Sequence, residues 1–275
     1  MIINGSGIAK RIIGELAVRK KPPSFFGAVL VGDDSASLHF LKQKERVARE
    51  LGVEFRLYEL PESITTDQLR EEIGRLAGPK RCGGFIVQLP LPERLNKHYA
   101  LNAIPKQKDV DFLSEAALGS FYTGRSAILP PSVGTVEEIL KACGTRAETL
   151  RGLKAAVIGS GLLVGKPVGF WLQNRVAELV VLDSKTQDLP SRLIGADVVI
   201  SGAGSPNLFG AKHLKENALV IDFGFNKGET GIAGDFNPEG AESRGVAYTK
   251  TPGGTGPILV AKLFENFYSL NRELL

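Results

Sequence analysis

The sequence predicts an α/β protein built as two lobes. Three observations lead there. Short apolar, strand-like runs alternate with amphipathic stretches over the first hundred residues, a glycine-rich turn sits among a second set of strands after residue 150, and a helical stretch closes the chain. With 275 residues, 43% of them apolar and 23% charged, the chain is long enough for two cores. Its mean hydropathy of +0.01 fits a globular protein. The net charge of +4 comes without a dense Lys/Arg run, so a nucleic-acid stripe is not expected. Cys82 and Cys143 make no disulfide framework, and no Cys/His spacing fits a metal. The opening lacks a signal-peptide core and no run reaches about 18 apolar residues, so no membrane association is expected and the cytoplasm is the default.

Ile8, Ile12 and Leu16, with Ile13 and Val18 beside them, predict an amphipathic helix over residues 8–19, closed by two lysines and two prolines. Residues 25–31 read as a strand ending in Gly32-Asp33-Asp34. Ser35 is the expected N-cap of a helix to about Leu51, with Gly52 as its stop. Residues 53–57 form the next strand, and Thr65-Thr66 opens a helix to about Ala77. The stretch 83–92, GGFIVQLPLP, then holds a buried strand over 85–89, apolar on both faces except for Gln88. Its prolines lack an N–H and end the ladder. Strand–helix–strand–helix–strand implies a parallel sheet with right-handed crossovers.

A lone Gln at the carboxyl end of such a strand either bonds loop backbone or faces a ligand. Ser37, Phe40 and Lys44 share one helical face, while Lys42, Glu45, Arg46 and Arg49 occupy others. Lys44 is either a surface lysine or one aimed at the Gln88 end of the sheet, desolvated so that it can move protons. After a helix over 95–104 comes the charged turn Lys108-Asp109-Val110-Asp111, with Val110 facing inward. Either aspartate caps the next short helix or accepts from a ligand presenting adjacent N–H donors.

The second half reads as nucleotide-binding. Pro130-Pro131-Ser132 forms a linker and N-cap for a helix over 133–142. A strand over 155–158 leads into Gly159-Ser160-Gly161-Leu162-Leu163-Val164-Gly165-Lys166-Pro167 and an apolar helix. Such a turn lets backbone amides and a helix N-terminus approach a pyrophosphate, although G-x-G-x-x-x-G is one residue longer than the usual fingerprint. Pro167 suits the first helical turn. Strands over 178–182, 197–201 and 219–221 complete a Rossmann-like domain. Asp183 follows its second strand, where a carboxylate accepts from the ribose 2′-OH of NAD and repels the 2′-phosphate of NADP. It also suits a turn before Ser184 and Lys185, and that lysine could neutralise a phosphate. Turns follow at 202–206, 222–226 and 234–235, and Thr251-Pro252-Gly253-Gly254-Thr255-Gly256-Pro257 precedes a helix over 258–270.

Taken in order, Val31-Gly32-Asp33-Asp34-Ser35-Ala36-Ser37, Lys44, Gln88-Leu89-Pro90-Leu91-Pro92 and Lys108-Asp109-Val110-Asp111 resemble the methylenetetrahydrofolate dehydrogenase/cyclohydrolase family. The resemblance covers roughly residues 29–258. It implies catalytic roles for Lys44 and Gln88 and pterin binding by Asp111, with Ser37, Phe40, Pro252, Gly253 and Gly254 lining the folate site. It implies dinucleotide contacts at Gly159, Ser160, Gly161, Gly165, Pro167, Asp183, Ser184 and Lys185. Gly202, Ala203 and Gly204 would pass over the nicotinamide side. It also implies tetrahydrofolate as the one-carbon carrier and a homodimer. The implied layout is a catalytic domain of residues 1–130 plus 257–275 and a Rossmann-like NAD(P)-binding domain of 131–256. The last helix returns to the first lobe, and the site is expected in the cleft between the lobes.

Several residues depart from the family pattern. Phe40 stands where tyrosine is usual, so a ring stacks but no hydroxyl meets the lysine. Ser160 replaces an arginine that serves the 2′-phosphate, which together with Asp183 favours NAD over NADP. The P-C-T-P segment reads Pro130-Pro131-Ser132-Val133, and Phe112 replaces a glycine after the aspartate. Two alternatives accompany this reading: a non-catalytic folate- or nucleotide-binding relative, and another two-domain dehydrogenase of shikimate type.

Overall fold

In the computed structural model, which describes residues 1–145, 147–228 and 231–272, the chain opens with a two-residue strand, β1 (Ile2–Ile3), and helix α1 (Gly5–Ala17). The expected alternation follows as β2 (Phe25–Val31), α2 (Ser35–Glu50), β3 (Phe55–Leu60), α3 (Thr66–Ala77) and β4 (Cys82–Val87). Strand β2 pairs in parallel with both neighbours, giving the order β3-β2-β4. All its residues are buried, as a central parallel strand covered on both faces requires. Short helices α4 (Lys97–Leu101) and α5 (Glu115–Tyr122) follow. Phe25, Val29, Leu69, Ile73, Phe85 and Leu101 are the centre of this core.

Local chemistry sets the helix starts. The carboxylate of Asp34, not the hydroxyl of Ser35, caps α2 by accepting from Ser37 N at 2.7 Å. A charged acceptor is favoured there because it also meets the positive end of the helix dipole. Thr65 and Gln68 form a reciprocal capping box on α3. Helix α6 (Pro131–Ala142) begins on Pro131, whose missing N–H costs nothing at the first helical position. Ser132 therefore lies inside the helix and is no N-cap; its Oγ donates to Leu163 O at 2.5 Å.

After α7 (Ala147–Leu150), β5 (Lys154–Ile158), α8 (Gly165–Leu172), β6 (Glu178–Leu182), α9 (Leu189–Leu193) and β7 (Val198–Ser201) come β8 (Phe209–Gly210) and β9 (Leu219–Asp222). The remaining elements are β10 (Asn226–Gly228), β11 (Gly231–Ala233), β12 (Phe236–Asn237), β13 (Ala247–Thr249) and the long helix α10 (Thr255–Leu270). A six-stranded parallel sheet runs β1-β13-β9-β7-β5-β6. The chain reverses direction across the sheet at β5, since β6 lies on one side and β7 on the other. Its core centres on Ala156, Ile158, Val199, Val220, Phe209 and Phe236.

The chain divides into one unit of residues 10–131 with 260–275 and another of residues 1–9 with 132–259. The return of the closing helix to the first unit is visible in its rings: Phe264 and Phe267 lie 5.1 and 5.6 Å from Phe26. Residues 1–9 differ from expectation. They group with the second unit because β1 pairs with β13, Ile2 opposite Tyr248 and Ile3 opposite Thr249. The last three positions of the expected segment 257–275 lie outside the described residues.

Candidate active site

Helix α2 buries Ser37, Leu41, Lys44 and Ala48, a stripe one side of the helix wide. A lysine on that stripe is unusual, and Lys44 is only 9% exposed. Its Nζ donates to Gln88 Oε1 at 2.6 Å. The amide of Gln88, itself buried, donates from Nε2 to Leu89 O at 2.7 Å. Gln88 thus bonds loop backbone with one end, tying the proline-rich exit of β4, and receives the lysine with the other. Gln88 N also donates to Val29 O at 2.8 Å, so the ladder runs one residue past the strand's end.

Burial holds the Lys44 ammonium below the ordinary lysine range, and the charge of Asp111 pulls it partly back. Burial likewise pushes the Asp111 carboxyl up to about 7. Lys44 opposes that shift, and the negative charge of Asp109 adds to it. The three side chains expected to act together are therefore coupled in one desolvated group. A buried lysine beside a carboxyl raised to about 7 can take up and release protons during a reaction.

The turn from Lys108 to Asp111 divides its labour residue by residue. Lys108 Nζ donates to the carbonyls of Ala77, Gly78 and Pro79, satisfying the open C-terminus of α3. Val110 is fully buried. Asp109, 1% exposed, accepts from Leu113 N at 3.0 Å, Ser114 N at 2.7 Å and Ser114 Oγ at 2.6 Å, and from the amide of Asp111. Asp109 is thus the structural aspartate of the pair, and Asp111 is the one whose charge acts on Lys44. Asn266 on α10 completes the frame, donating to Val110 O at 2.9 Å and Leu129 O at 2.8 Å. Ser37 is buried on the same stripe of α2 as Lys44, whereas Phe40 is partly exposed, one turn from Lys44.

In the second unit, the expected dinucleotide residues gather at the carboxyl ends of β5, β6 and β7. Gly159 N donates to Leu182 O at 2.8 Å and Gly202 N to Ile158 O at 2.9 Å, which sets Gly159 beside the residues leading to Asp183 and Gly202. Gly159 has φ +102°, and a Cβ there would lie 2.7 Å from Gly202 O. A Cβ on Gly165 would collide with Gly159 O, whereas one on Gly161 would meet open space. The first and last glycines are thus needed for backbone packing, and the middle one leaves room above the turn. Ser160 is exposed there, and Pro167 is buried in the first turn of α8. This is the crevice where an open parallel sheet reverses direction, the place such sheets bind ligands. Asp183, Ser184 and Lys185 are exposed at the end of β6, and Asp183 Oδ1 accepts from Lys185 N at 2.9 Å. Asp183 therefore does shape the turn.

Beyond Gly202, the exposed loop residues Ala203 and Gly204 are held from within by Asp235, a buried residue whose importance the sequence hid. Pro252, Gly253 and Gly254 lie in the second unit, between β13 and α10. Gly253 has φ +96°, and a Cβ on Gly254 would lie 2.5 Å from Lys250 O.

A parallel α/β unit with a desolvated lysine, amide and carboxyl, joined to a unit with a glycine turn at its sheet's switch point, defines a two-unit nucleotide-dependent dehydrogenase. Comparison with known proteins narrows the class. Residues 3–111 match the tetrahydrofolate dehydrogenase/cyclohydrolase catalytic domain, and residues 131–274 match the NAD(P)-binding domain of the same enzymes. The chain belongs to the tetrahydrofolate dehydrogenase/cyclohydrolase family. It is 34% identical over 272 residues to the bifunctional protein FolD of Geotalea daltonii, spanning 96% of each chain. Its fold matches the crystal structure of the bifunctional FolD enzyme of Campylobacter jejuni with a TM-score of 0.93 and 32% identity, covering 100% of this chain and 99% of that one. The Trypanosoma brucei enzyme, solved with NADP and an inhibitor, matches with a TM-score of 0.91 and 29% identity, covering 99% and 97%.

Proposed function

We propose that the chain oxidises 5,10-methylenetetrahydrofolate to 5,10-methenyltetrahydrofolate with NAD(P)+ and hydrolyses that product to 10-formyltetrahydrofolate. The observation that carries this reading is the buried Lys44–Gln88 contact coupled to Asp111, in a chain whose two halves both match the family. The dinucleotide supplies the hydride acceptor, and the glycine cradle at Gly159 and Gly165 suits its pyrophosphate. Asp111 accepts from the adjacent N–H donors of the pterin, and Phe40 stacks against the aminobenzoyl ring.

Breaking the methylene C–H bond sends its electron pair to the nicotinamide and leaves a methenyl cation. That step needs mainly alignment of the two rings. The second step needs a proton acceptor. Water adds to the cationic carbon, Lys44 in its neutral form takes the water's proton, the ring-closing C–N bond breaks, and the nitrogen is reprotonated. Gln88 holds the lysine in place for it. Phe40 lacks the hydroxyl that would bond Lys44, so hydrolysis is the slower of the two steps.

Asp183, with Ser160 in place of an arginine, favours NAD over NADP. The protein works in the cytoplasm as a homodimer, its folate chemistry carried by the first unit and its dinucleotide by the second. The test is direct: purified protein is mixed with methylenetetrahydrofolate and NAD or NADP, and reduced nicotinamide is followed by absorbance. Turnover, faster with NAD, is expected. Binding of both ligands without turnover would favour a non-catalytic relative instead.

A further inference from the structure

The loop after β7 is organised around one buried carboxylate that the reaction itself does not use. Asp235 is 0% exposed and lies between β11 and β12. Its Oδ2 accepts from Ser201 Oγ at 2.7 Å, Ala203 N at 2.8 Å and Gly204 N at 3.3 Å; its Oδ1 accepts from Ser205 N at 2.9 Å. Three successive amides converging on one anion form a nest, and the left-handed Gly204, φ +66°, produces that convergence. In nucleotide-binding proteins such nests hold phosphates. Here the nest is filled from inside the protein.

A second carboxylate fixes the first. Asp222, 2% exposed at the end of β9, accepts from Gly224 N at 2.7 Å and from Phe236 N at 3.0 Å, the residue after Asp235. A Cβ on Gly224 would collide with Asp235, and one on Gly234 would collide with Asp222, so the two aspartates leave no slack between them. The ends of β7 and β9 and the segment before β12 are thereby tied to the exposed 202–205 loop.

We infer that Asp235 is a positioning residue that sets the 202–205 loop to receive the nicotinamide end of the dinucleotide and bars it from binding phosphate. With its amides committed inward, the loop has carbonyl oxygens to offer. These match the N–H donors of a neutral carboxamide and repel an anion. The pyrophosphate is then left to the glycine turn at this switch point, residues 159–165. This assignment rests on the dinucleotide reading of the second unit given above.

The test compares the full dinucleotide with ADP-ribose, which has the adenosine and pyrophosphate but no nicotinamide. Asp235→Asn puts an NH2 where the loop amides need an acceptor. It should weaken dinucleotide binding about tenfold, the scale of one hydrogen bond to a charged group, and lower kcat for hydride transfer. ADP-ribose affinity should stay within about twofold. Ser201→Ala keeps the three amide contacts and removes one donor. It should shift dinucleotide binding the same way by about threefold, with ADP-ribose unchanged, and it decides the matter if the Asn variant does not fold. Unchanged dinucleotide affinity in the folded variants, or an equal loss for ADP-ribose, overturns the positioning role. Parent protein that binds neither NAD nor NADP defeats the dinucleotide reading, and the role with it.

Discussion

Replacing Lys44 with Met is the sharpest test of the folate chemistry. The methionine side chain follows the path of the lysine methylenes along the buried stripe of α2, so packing is largely kept. Two energetic effects then oppose each other. Gln88 Oε1 loses its 2.6 Å donor inside the protein, a cost of about 1–3 kcal/mol. Removing an amine whose charged form burial disfavours returns a comparable amount. Net stability should change by no more than about 2 kcal/mol, a shift of a few degrees in Tm. Activity should change far more. Loss of a positioned proton acceptor typically costs about 10²–10⁴-fold, and that whole factor should fall on hydrolysis. Hydride transfer should lose less, because it moves no proton through Lys44. The assay follows the fall in methenyltetrahydrofolate absorbance, corrected for the spontaneous reaction, beside nicotinamide reduction and a melting curve. Hydrolysis at the parent rate by a folded Lys44→Met protein would refute the role given to this lysine.

Two further outcomes follow from the same structure. The Asp111 carboxyl is raised from 3.8 to about 7, so the folded state holds its proton more tightly than the unfolded state does. Its contribution to stability is complete below about pH 4 and is lost as pH rises through about 7. About three units at about 1.4 kcal/mol each set a ceiling near 4 kcal/mol, reduced because Asn also strips Lys44 of its counter-charge. Asp111→Asn should therefore gain about 2 kcal/mol on the parent between pH 5 and pH 8 by denaturant melts, while folate turnover falls; a pH-independent difference would contradict the assigned burial. Phe112 sits at φ +56°, which costs a bulky residue about 1–2 kcal/mol, yet its ring is 2% exposed and meets Phe121 edge-on at 6.0 Å. Emptying that site costs about 3–5 kcal/mol, so Phe112→Gly should lower stability by about 1–4 kcal/mol; a variant as stable as the parent would show that relief of the strain offsets the lost packing.

Much of this site was legible because its residues sit on strongly patterned elements. The strand before Gln88 is apolar throughout, the helix carrying Lys44 has a clear period, and the glycine turn follows a strand. What stayed hidden depended on partners that only the folded chain brings into place. Nothing in Lys108-Asp109-Val110-Asp111 says which aspartate serves the fold, because the deciding donors are amides at 113 and 114 that exist only once the turn has closed. Asp235 reads in sequence as an ordinary turn residue, since its ligands lie some thirty residues upstream. The cap of α2 was missed by one position because Asp34 and Ser35 are both good caps, and only the backbone path chooses between them. Strands β1 and β13, two and three residues long, are too short for any periodicity to register.

The pairing of β1 with β13 also bears on how the chain is made. Ile2 and Ile3 are synthesised 246 residues ahead of the backbone they dock against, Tyr248 and Thr249. At about 5–20 residues per second, the opening strand waits on the order of 12–50 s for its neighbour. Until then Ile3, which ends only 5% exposed, has no sheet to enter, so this edge stays open to chaperones or to pairing with another chain.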